Sequence, residues 1–382
     1  MPLSFSVVSP GEIRFGRGEA AGASTWLAAR ARHVLLVQGA NPQRAAFLVE
    51  RLHAAQVRVS TFTVAHEPTL ADIEQGVELA RQRGVEAVIS LGGGAVIDAG
   101  KAIAALVKAH GPLIDYLEVV GNGRILESAP LTFVALPTTA GTGAEVTKNA
   151  VINVPAHRRK VSLRDNRMLP DLAIIDPALT DHTPRSVTLA SGLDALTQVI
   201  EPYICNRATP YTDALCRAAI PQSINALMQL MKQECPQSRD TLAWVSLCGG
   251  LALANAGLGV IHGLAGPLGG LCDAPHGALC GSLLPFGLML NNAQVTDPTL
   301  LARFDEIRRW FANALGVAPM QAFDALRDWR CQAGLGSLST LGVPHDALES
   351  AALAASSASS MKANPVPLTY DQLLGMLHLA WE

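Results

Sequence analysis

The first half of the sequence alternates short apolar, β-branched runs with segments whose apolar residues recur at helical spacing. The runs 33–39 and 57–64 are predicted strands, and 70–84 is a predicted helix that ends in glycine. The run 85–94 is a strand that leads into a glycine turn, and 131–143 repeats the pattern with a turn of small and hydroxyl residues. Such alternation predicts a mostly parallel sheet covered by helices.

The pattern changes at about position 183, where strand-like runs give way to long segments rich in Ala and Leu. Ser and Thr precede several of these segments, as is common at helix N-caps. The segment 176–186, which contains two prolines and two aspartates, is the best candidate boundary. We therefore predict an α/β domain over residues 1–182 and an all-helical domain over residues 183–382.

Composition narrows the class of protein. The 382 residues are 49% hydrophobic and 16% charged, which is enough apolar material for the large cores of two domains. A net charge of −3 and a pI of about 6.4 favour neither nucleic acid nor a membrane as partner. No apolar stretch reaches the roughly 18 residues of a membrane span, and the N-terminus lacks a signal-peptide pattern. Seven cysteines without a CxxC pair indicate reduced thiols, so we expect a cytoplasmic protein.

Two loops are candidates for nucleotide binding. The glycine turn at 92–95 joins a predicted strand to a predicted helix, where backbone N–H groups and the helix N-terminus favour an anion such as pyrophosphate. Alone this signal is weak, because glycine turns at such junctions are common and the turn is not GxGxxG. The loop 137–143 adds three threonines and two glycines after another predicted parallel strand, where open α/β sheets collect ligands. Together the loops predict a nucleotide site.

Four motifs, GGGAVIDAGKAIA, PTTAGTGAEVT, SGLDALTQVIE and HGLAGPLGGLCDAPHG, resemble in sequence and order those of the iron-containing alcohol dehydrogenases. The resemblance covers about residues 5–290 and is looser beyond them. It implies the dehydroquinate synthase-like fold, with a Rossmann-like cofactor site in the α/β domain. It also implies NAD or NADP, a homodimer, and a divalent metal in the cleft, iron or alternatively zinc. In that family the metal polarises the alcohol oxygen while a hydride passes to the nicotinamide.

The resemblance places metal ligands at Asp194, Gln198, His262 and His276, and assigns catalysis to the Asp and the two His. The first two are four residues apart, which puts them on one face of a helix. Without the family resemblance, Asp194 and Gln198 would be interpreted as an i,i+4 polar pair on a helix, and the two histidines as core residues. Gln198 departs from the family, which has His there; its neutral amide oxygen is a poorer ligand for iron or zinc. Gly266 is a second departure, because many relatives carry a further His near the substrate.

The residues that would contact the adenosine ribose favour neither NAD nor NADP as the cofactor. Gly39 occupies the position at which NAD-preferring relatives carry an Asp, and Asn41, Gln43 or Arg44 could contact a 2′-phosphate. Glu67 instead favours NAD, because a nearby carboxylate disfavours the 2′-phosphate of NADP. Lys160 and Leu179, matched by position to the family, are expected toward the nicotinamide half. The full set of predicted cofactor contacts is Gly39, Asn41, Gly93, Gly94, Ala95, Asp98, Thr138, Thr139, Thr142, Thr147, Lys160 and Leu179.

Several functions fit these motifs. The leading hypothesis is interconversion of a small-molecule alcohol and an aldehyde or ketone at a metal-polarised oxygen. In a second hypothesis the protein has the same fold and cofactor but reduces a keto acid without a metal, as the maleylacetate reductases of this superfamily do. A third is a catalytically silent nucleotide-binding homologue. A sugar-phosphate cyclase is disfavoured, because basic phosphate-binding residues are not evident. The sequence does not name the substrate.

Overall fold

The computed structural model describes residues 4–382, which form two compact bodies. One comprises Val8–Thr139 and Gly143–Asp181 and contains the β-structure; we call it the sheet body. The other comprises residues 4–7, Ala140–Thr142 and His182–Glu382, and we call it the helical body. The short segment Ala140–Thr142 thus belongs to the helical body although it follows a strand of the sheet body.

The sheet body is built on six parallel strands in the order β1-β8-β5-β4-β2-β3, with a separate antiparallel pair β6–β7. Every residue of β2 and of β4 is buried, which explains why these strands read as continuous apolar runs. The predicted parallel sheet is confirmed. The strands are β1 Glu12–Phe15, β2 His33–Gln38, β3 Arg58–Thr63, β4 Ala87–Gly92, β5 Thr132–Pro137, β6 Asn149–Val154, β7 Arg159–Arg164 and β8 Leu172–Ile175.

Four α-helices cover the sheet: α1 Ala23–Ala28, α2 Ala46–Ala54, α3 Leu70–Arg83 and α4 Gly94–Leu106. Helix α3 begins at a capping box in which Thr69 and Asp72 bond each other's backbone N–H. It ends at Gly84 in the left-handed conformation, as the sequence predicted. Helix α4 packs so closely on β4 that a Cβ at Gly100 would lie 1.9 Å from Ser90 Oγ. Only glycine fits there.

The hairpin β6–β7 was not predicted, although its sequence contains the signal. Ala150, Ile152 and Val154 are buried and alternate with more exposed residues, the period expected of a strand with one face covered. The connection PAHR contains no glycine, and Arg158 itself adopts the left-handed conformation at φ 49. The absence of a Gly or Asn turn signal hid the hairpin.

A buried lysine joins this hairpin to α4. Lys101 is 1% exposed, and its ammonium donates to the carbonyl oxygens of Ala144, Thr147 and Asn149 at 2.6, 2.9 and 2.8 Å. Three N–H groups therefore meet three backbone acceptors that have little access to water. Burial lowers the pKa of Lys101 to about 8, although Asp98 opposes that shift.

Replacing Lys101 by Met is expected to lower the free energy of unfolding by about 3 kcal/mol, because it removes the donor from several buried carbonyl groups. The measurement is urea denaturation followed by circular dichroism. Lys108→Met, at an exposed lysine near the end of the same helix, is the control and should change stability by less than about 0.5 kcal/mol. Equal denaturation midpoints for Lys101→Met and the wild type would contradict this role.

The second half of the chain is helical, and no strand occurs from 183 to 382, all of which lies in the described part of the chain. This confirms the predicted fold class. Helix α6 begins at the N-cap Thr209 and α13 at the N-cap Thr369. The helices are α5 Arg185–Ile204, α6 Pro210–Lys232, α7 Pro236–Asn255, α8 Val260–Leu271, α9 His276–Gln294, α10 Pro298–Leu315, α11 Ala322–Gln332, α12 Ala347–Ala355 and α13 Tyr370–Trp381.

Some of these helices are strongly apolar. Within residues 4–382, no single helix is both long and apolar enough to cross a membrane. The consecutive pair α7 and α8 meets the length and composition criteria together, but it bends by 95° at its break. Most residues of both helices are buried inside the helical body.

Candidate active site

A row of polar side chains lies on one face of α5. Asp194, Gln198 and Glu201 follow one another at spacings of four and three residues and are 2%, 3% and 1% exposed. Helix α5 is otherwise surrounded by apolar side chains from the rest of the helical body. Buried polar groups need partners, so this row predicts a site rather than a solvated surface.

Glu201 holds His262 in place. The His262 side chain projects from the first turn of α8, and its Nδ1 lies 2.6 Å from Glu201 Oε2. Glu201 also accepts the backbone N–H of Ile261 at 2.7 Å, so it caps the helix that carries the histidine. An ionised carboxylate only accepts, which places the ring proton on Nδ1 and leaves Nε2 with a lone pair when the ring is neutral.

That lone pair faces another acceptor. Nε2 of His262 lies 3.3 Å from Oδ1 of Asp194. Neither atom has a hydrogen-bond partner among residues 4–382, and both are buried. Two unpaired acceptors facing each other in a core are unfavourable unless a cation or a proton lies between them.

His276 and Cys280 complete the cluster from the first two turns of α9. The sulfur of Cys280 lies 3.6 Å from Nε2 of His276, and the rings of His262 and His276 have centroids 5.5 Å apart. One donor atom from each of these residues and from Asp194 lies within 4.8 Å of all the others. A carboxylate, two imidazoles and a thiol form a donor set that fits a divalent transition metal.

The charges in this cluster shift the pKa values of its members. The neighbouring Cys280 side chain raises the pKa of His276 to about 9 against the opposing effect of burial. Burial lowers the pKa of His262, but Cys280, Asp194 and Glu201 together raise it well above its ordinary value. Burial by itself would raise the pKa of Asp194, and the two histidines hold it below its ordinary value. The cluster therefore favours positive charge at its centre.

Gln198 is oriented by a backbone carbonyl. Its amide nitrogen donates to the carbonyl oxygen of Thr142. Gly249 on α7 leaves room for the side chain, because a Cβ there would lie 3.3 Å from Cβ of Gln198. Thr142, which was predicted as a cofactor contact, thus meets Gln198 through its main chain.

The structure therefore brings Asp194, His262 and His276 together, with Gln198 on the same face of α5. Sequence reasoning missed Cys280 and Glu201. A signal existed for both, since Glu201 lies seven residues after Asp194 and Cys280 lies four residues after His276. Both spacings return to the same helical face.

The glycine turn and the first part of the threonine loop, residues 137–139, are neighbours in the sheet body. Strands β4 and β5 pair in parallel, with Gly92 opposite Pro137. The N–H of Thr138 donates to the carbonyl of Gly92 at 2.9 Å. A Cβ at Gly93 would lie 3.3 Å from Oγ1 of Thr139. The glycine turn thus lies beside Thr138 and Thr139 at the carboxyl ends of adjacent strands.

A third segment ends at the same edge of the sheet. The chain passes from β2 to β3 on one side and returns to β4 on the other, which makes the β2/β4 gap a topological switch point. Gly39 and Asn41 follow β2, and the Asn41 side chain accepts the N–H of Gln43 at 3.1 Å. Arg44 donates to the carbonyl of Leu179 at 2.6 Å and so joins Leu179 to this segment.

The remaining predicted cofactor residues have partners within the sheet body. Gly94 and Ala95 begin α4, and Asp98 accepts a backbone N–H from β6 at 3.0 Å. The hydroxyl of Thr147 lies 3.0 Å from Lys101 Nζ. Lys160 forms an ion pair with Glu67. Their contacts with a cofactor stay predictions.

Two family profiles match the sequence one after the other. "Iron-containing alcohol dehydrogenase" matches residues 10–177, and "Fe-containing alcohol dehydrogenase family, C-terminal" matches residues 188–381. Together they cover nearly the whole chain.

Similar proteins are known from several organisms. Alcohol dehydrogenase 4 of Saccharomyces cerevisiae is 32% identical over 82% of this chain and 81% of its own length. Long-chain-alcohol dehydrogenase 1 of Geobacillus thermodenitrificans is 35% identical over 75% of this chain and 72% of its own length. Alcohol dehydrogenase 4 of Schizosaccharomyces pombe is 34% identical over 64% of this chain, and the match spans 56% of that protein.

Solved structures share the fold over the whole length. The crystal structure of a 1,3-propanediol oxidoreductase superimposes with a TM-score of 0.88 at 28% identity and covers 99% of this chain and 100% of that one. NADH-dependent butanol dehydrogenase A of Thermotoga maritima gives a TM-score of 0.84 at 22% identity, covering 99% of each chain. At that lower identity the likeness shows the fold alone.

Proposed function

The chain belongs to the iron-containing alcohol dehydrogenase family, whose members use NAD(P) and a divalent metal, and we propose that Asp194, His262 and His276 form its catalytic metal site. The reaction is the interconversion of a small-molecule alcohol and an aldehyde or ketone. A hydride passes between the carbinol carbon and the nicotinamide, and a proton leaves or joins the oxygen.

One observation carries this assignment: Nε2 of His262 and Oδ1 of Asp194 face each other, buried and without hydrogen-bond partners among the described residues. Asp194 would contribute negative charge to a bound ion, and His262 and His276 would act as neutral nitrogen donors after they release their protons. Glu201 fixes the ring of His262 so that Nε2 points into the cluster. A divalent ion bound there supplies Lewis-acid polarisation of the alcohol oxygen and lowers the pKa of its hydroxyl.

The cofactor pyrophosphate is assigned to the turn Gly93–Ala95, with Thr138 and Thr139 beside it. Support comes from the N-terminus of α4, whose free N–H groups and dipole favour phosphate. Glu67 forms an ion pair with Lys160, which offsets the negative charge that would disfavour the 2′-phosphate of NADP. Both NAD and NADP are therefore tested.

Gly94→Asp should weaken NAD(P)H binding at least about tenfold, or about 1.4 kcal/mol, because it puts a carboxylate against the phosphates. The measurement is a fluorescence titration with NADH and with NADPH. Gly375→Asp adds the same charge at an exposed glycine of α13 with open space around it and serves as the control. Unchanged affinity in Gly94→Asp would show that the pyrophosphate binds elsewhere.

The activity test uses metal-reconstituted protein with a panel of alcohols and NAD or NADP, and the same panel of aldehydes and ketones with the reduced cofactors. We expect NAD(P)H and carbonyl product to form in equal amounts. Reduction of a keto acid in excess chelator would instead identify the metal-independent reductase. Cofactor binding without turnover across the panel would identify a silent homologue.

We further propose that the protein acts as a cytoplasmic homodimer. All seven cysteines are free thiols, which suits a reducing compartment. The dimer is supported by the family resemblance, and light scattering of the purified protein measures it. A monomeric mass at working concentration would contradict the dimer.

A further inference from the structure

We propose that Cys280, rather than Gln198, supplies the fourth protein ligand of the metal site, as a thiolate. The set is Asp194, His262, His276 and Cys280. This inference rests on the proposed metal site. It concerns the fourth ligand, because this chain has Gln198 where its family has a histidine.

Two of the distances in the cluster are those expected between ligands of one zinc ion, and the alcohol oxygen would join the four protein ligands as a fifth. Ligand atoms about 2.0–2.3 Å from a tetrahedral zinc ion lie about 3.3–3.8 Å from one another. Nε2 of His262 is 3.3 Å from Asp194 Oδ1, and Nε2 of His276 is 3.6 Å from the sulfur of Cys280. Cys280 is fully buried, and its sulfur lies within 4.8 Å of a donor atom of each other member.

The backbone of α9 brings the thiol to this point. His276 and Cys280 are four residues apart, so both side chains leave the helix on the same face. Gly277, between them, lies against α5: a Cβ there would be 2.5 Å from the carbonyl oxygen of Ala190 and 3.1 Å from Cβ of Asp194. The close approach of the two helices at this glycine places the sulfur beside the carboxylate.

Charge balance also favours the thiolate. Among the direct ligands, Asp194 and a Cys280 thiolate would supply two negative charges to a divalent ion, whereas Asp194 and Gln198 would supply one. Gln198 offers only a neutral amide oxygen, which is a poorer donor than a thiolate for zinc. Thiolate with imidazole and carboxylate is a donor set typical of zinc, and a soft sulfur ligand disfavours hard oxygen-preferring ions.

The test replaces the metal of the purified enzyme with Co²⁺, which gives a sulfur-to-metal charge-transfer band when a thiolate is bound. We expect this band in the wild type and in Gln198→Ala, and its loss in Cys280→Ser and Cys280→Ala. Zinc affinity, measured by competition with a chromogenic chelator, should fall roughly a hundredfold in the Cys280 variants. Cys216→Ala removes another fully buried thiol of the helical body and should retain both band and affinity.

The double variant Cys280→Ala/Gln198→His separates ligand loss from misfolding. It should bind metal more tightly than Cys280→Ala, without the charge-transfer band. A wild-type enzyme that binds one Co²⁺ per chain without the band, or Cys280→Ala with unchanged zinc affinity, would overturn the proposal and leave the dehydrogenase function standing. A wild-type chain that binds no divalent ion would overturn the metal-dependent function as well.

Discussion

His262→Ala should abolish metal binding and lower kcat/KM for alcohol oxidation at least about a thousandfold, or about 4 kcal/mol of transition-state stabilisation. The imidazole supplies the nitrogen that lies 3.3 Å from the Asp194 carboxylate. The truncation also leaves Glu201 without its side-chain partner in a buried position. Metal content by elemental analysis and initial rates of NAD(P)H formation measure the two effects.

The control for this variant is His33→Gln. His33 is also buried but lies on β2, where its ring bonds the hydroxyl of Ser60 at 3.0 Å. We expect this variant to keep its metal and to retain most of its activity. If the His262→Ala protein still bound one metal ion per chain, or if its kcat/KM fell by less than about tenfold, His262 would not be a residue of the metal site.

Glu201→Gln should weaken metal binding by about 10- to 100-fold while leaving NAD(P)H affinity unchanged. The glutamine oxygen can still accept the N–H of Ile261, so the helix cap survives. Its NH₂ group then faces Nδ1 of His262, which favours the ring tautomer with the proton on Nε2 and removes the lone pair that binds metal. Glu201 is thus a positioning residue that acts through His262.

Zinc competition, cofactor titration and circular dichroism together check this role. Glu306→Gln is the control, because Glu306 bonds Tyr203 in the same body, outside the cluster. Metal and cofactor affinities that fell together would point to a general structural loss. Unchanged metal affinity would contradict the positioning role.

The fold was predictable because burial leaves a clear pattern in the sequence. The fully buried strands β2 and β4 read as apolar runs, and Gly84 marked the end of α3. The hairpin β6–β7 was missed because its turn uses Arg158 in the left-handed conformation instead of the usual glycine. The clustering of Ala140–Thr142 with the helical body depends on tertiary contacts that no local pattern encodes.

The site was predictable in part. Helical spacing placed Asp194 and Gln198 on one face, and the family motifs indicated the two histidines. Spacing puts Cys280 on the same helical face as His276, but whether its sulfur reaches Asp194 depends on the distance between α9 and α5, which the sequence does not encode. The orientation of Gln198 depends on a carbonyl 56 residues away in the chain.

We expect catalysis to depend on a metal held by Asp194, His262, His276 and Cys280. The decisive measurement is elemental analysis of the purified protein, paired with dehydrogenase rates as the metal is removed by a chelator and then returned. We expect one divalent ion per chain, activity that falls in proportion to metal content, and recovery when the ion is restored. Metal-free protein that turns over undiminished in excess chelator, and gains nothing from added divalent ions, would contradict it.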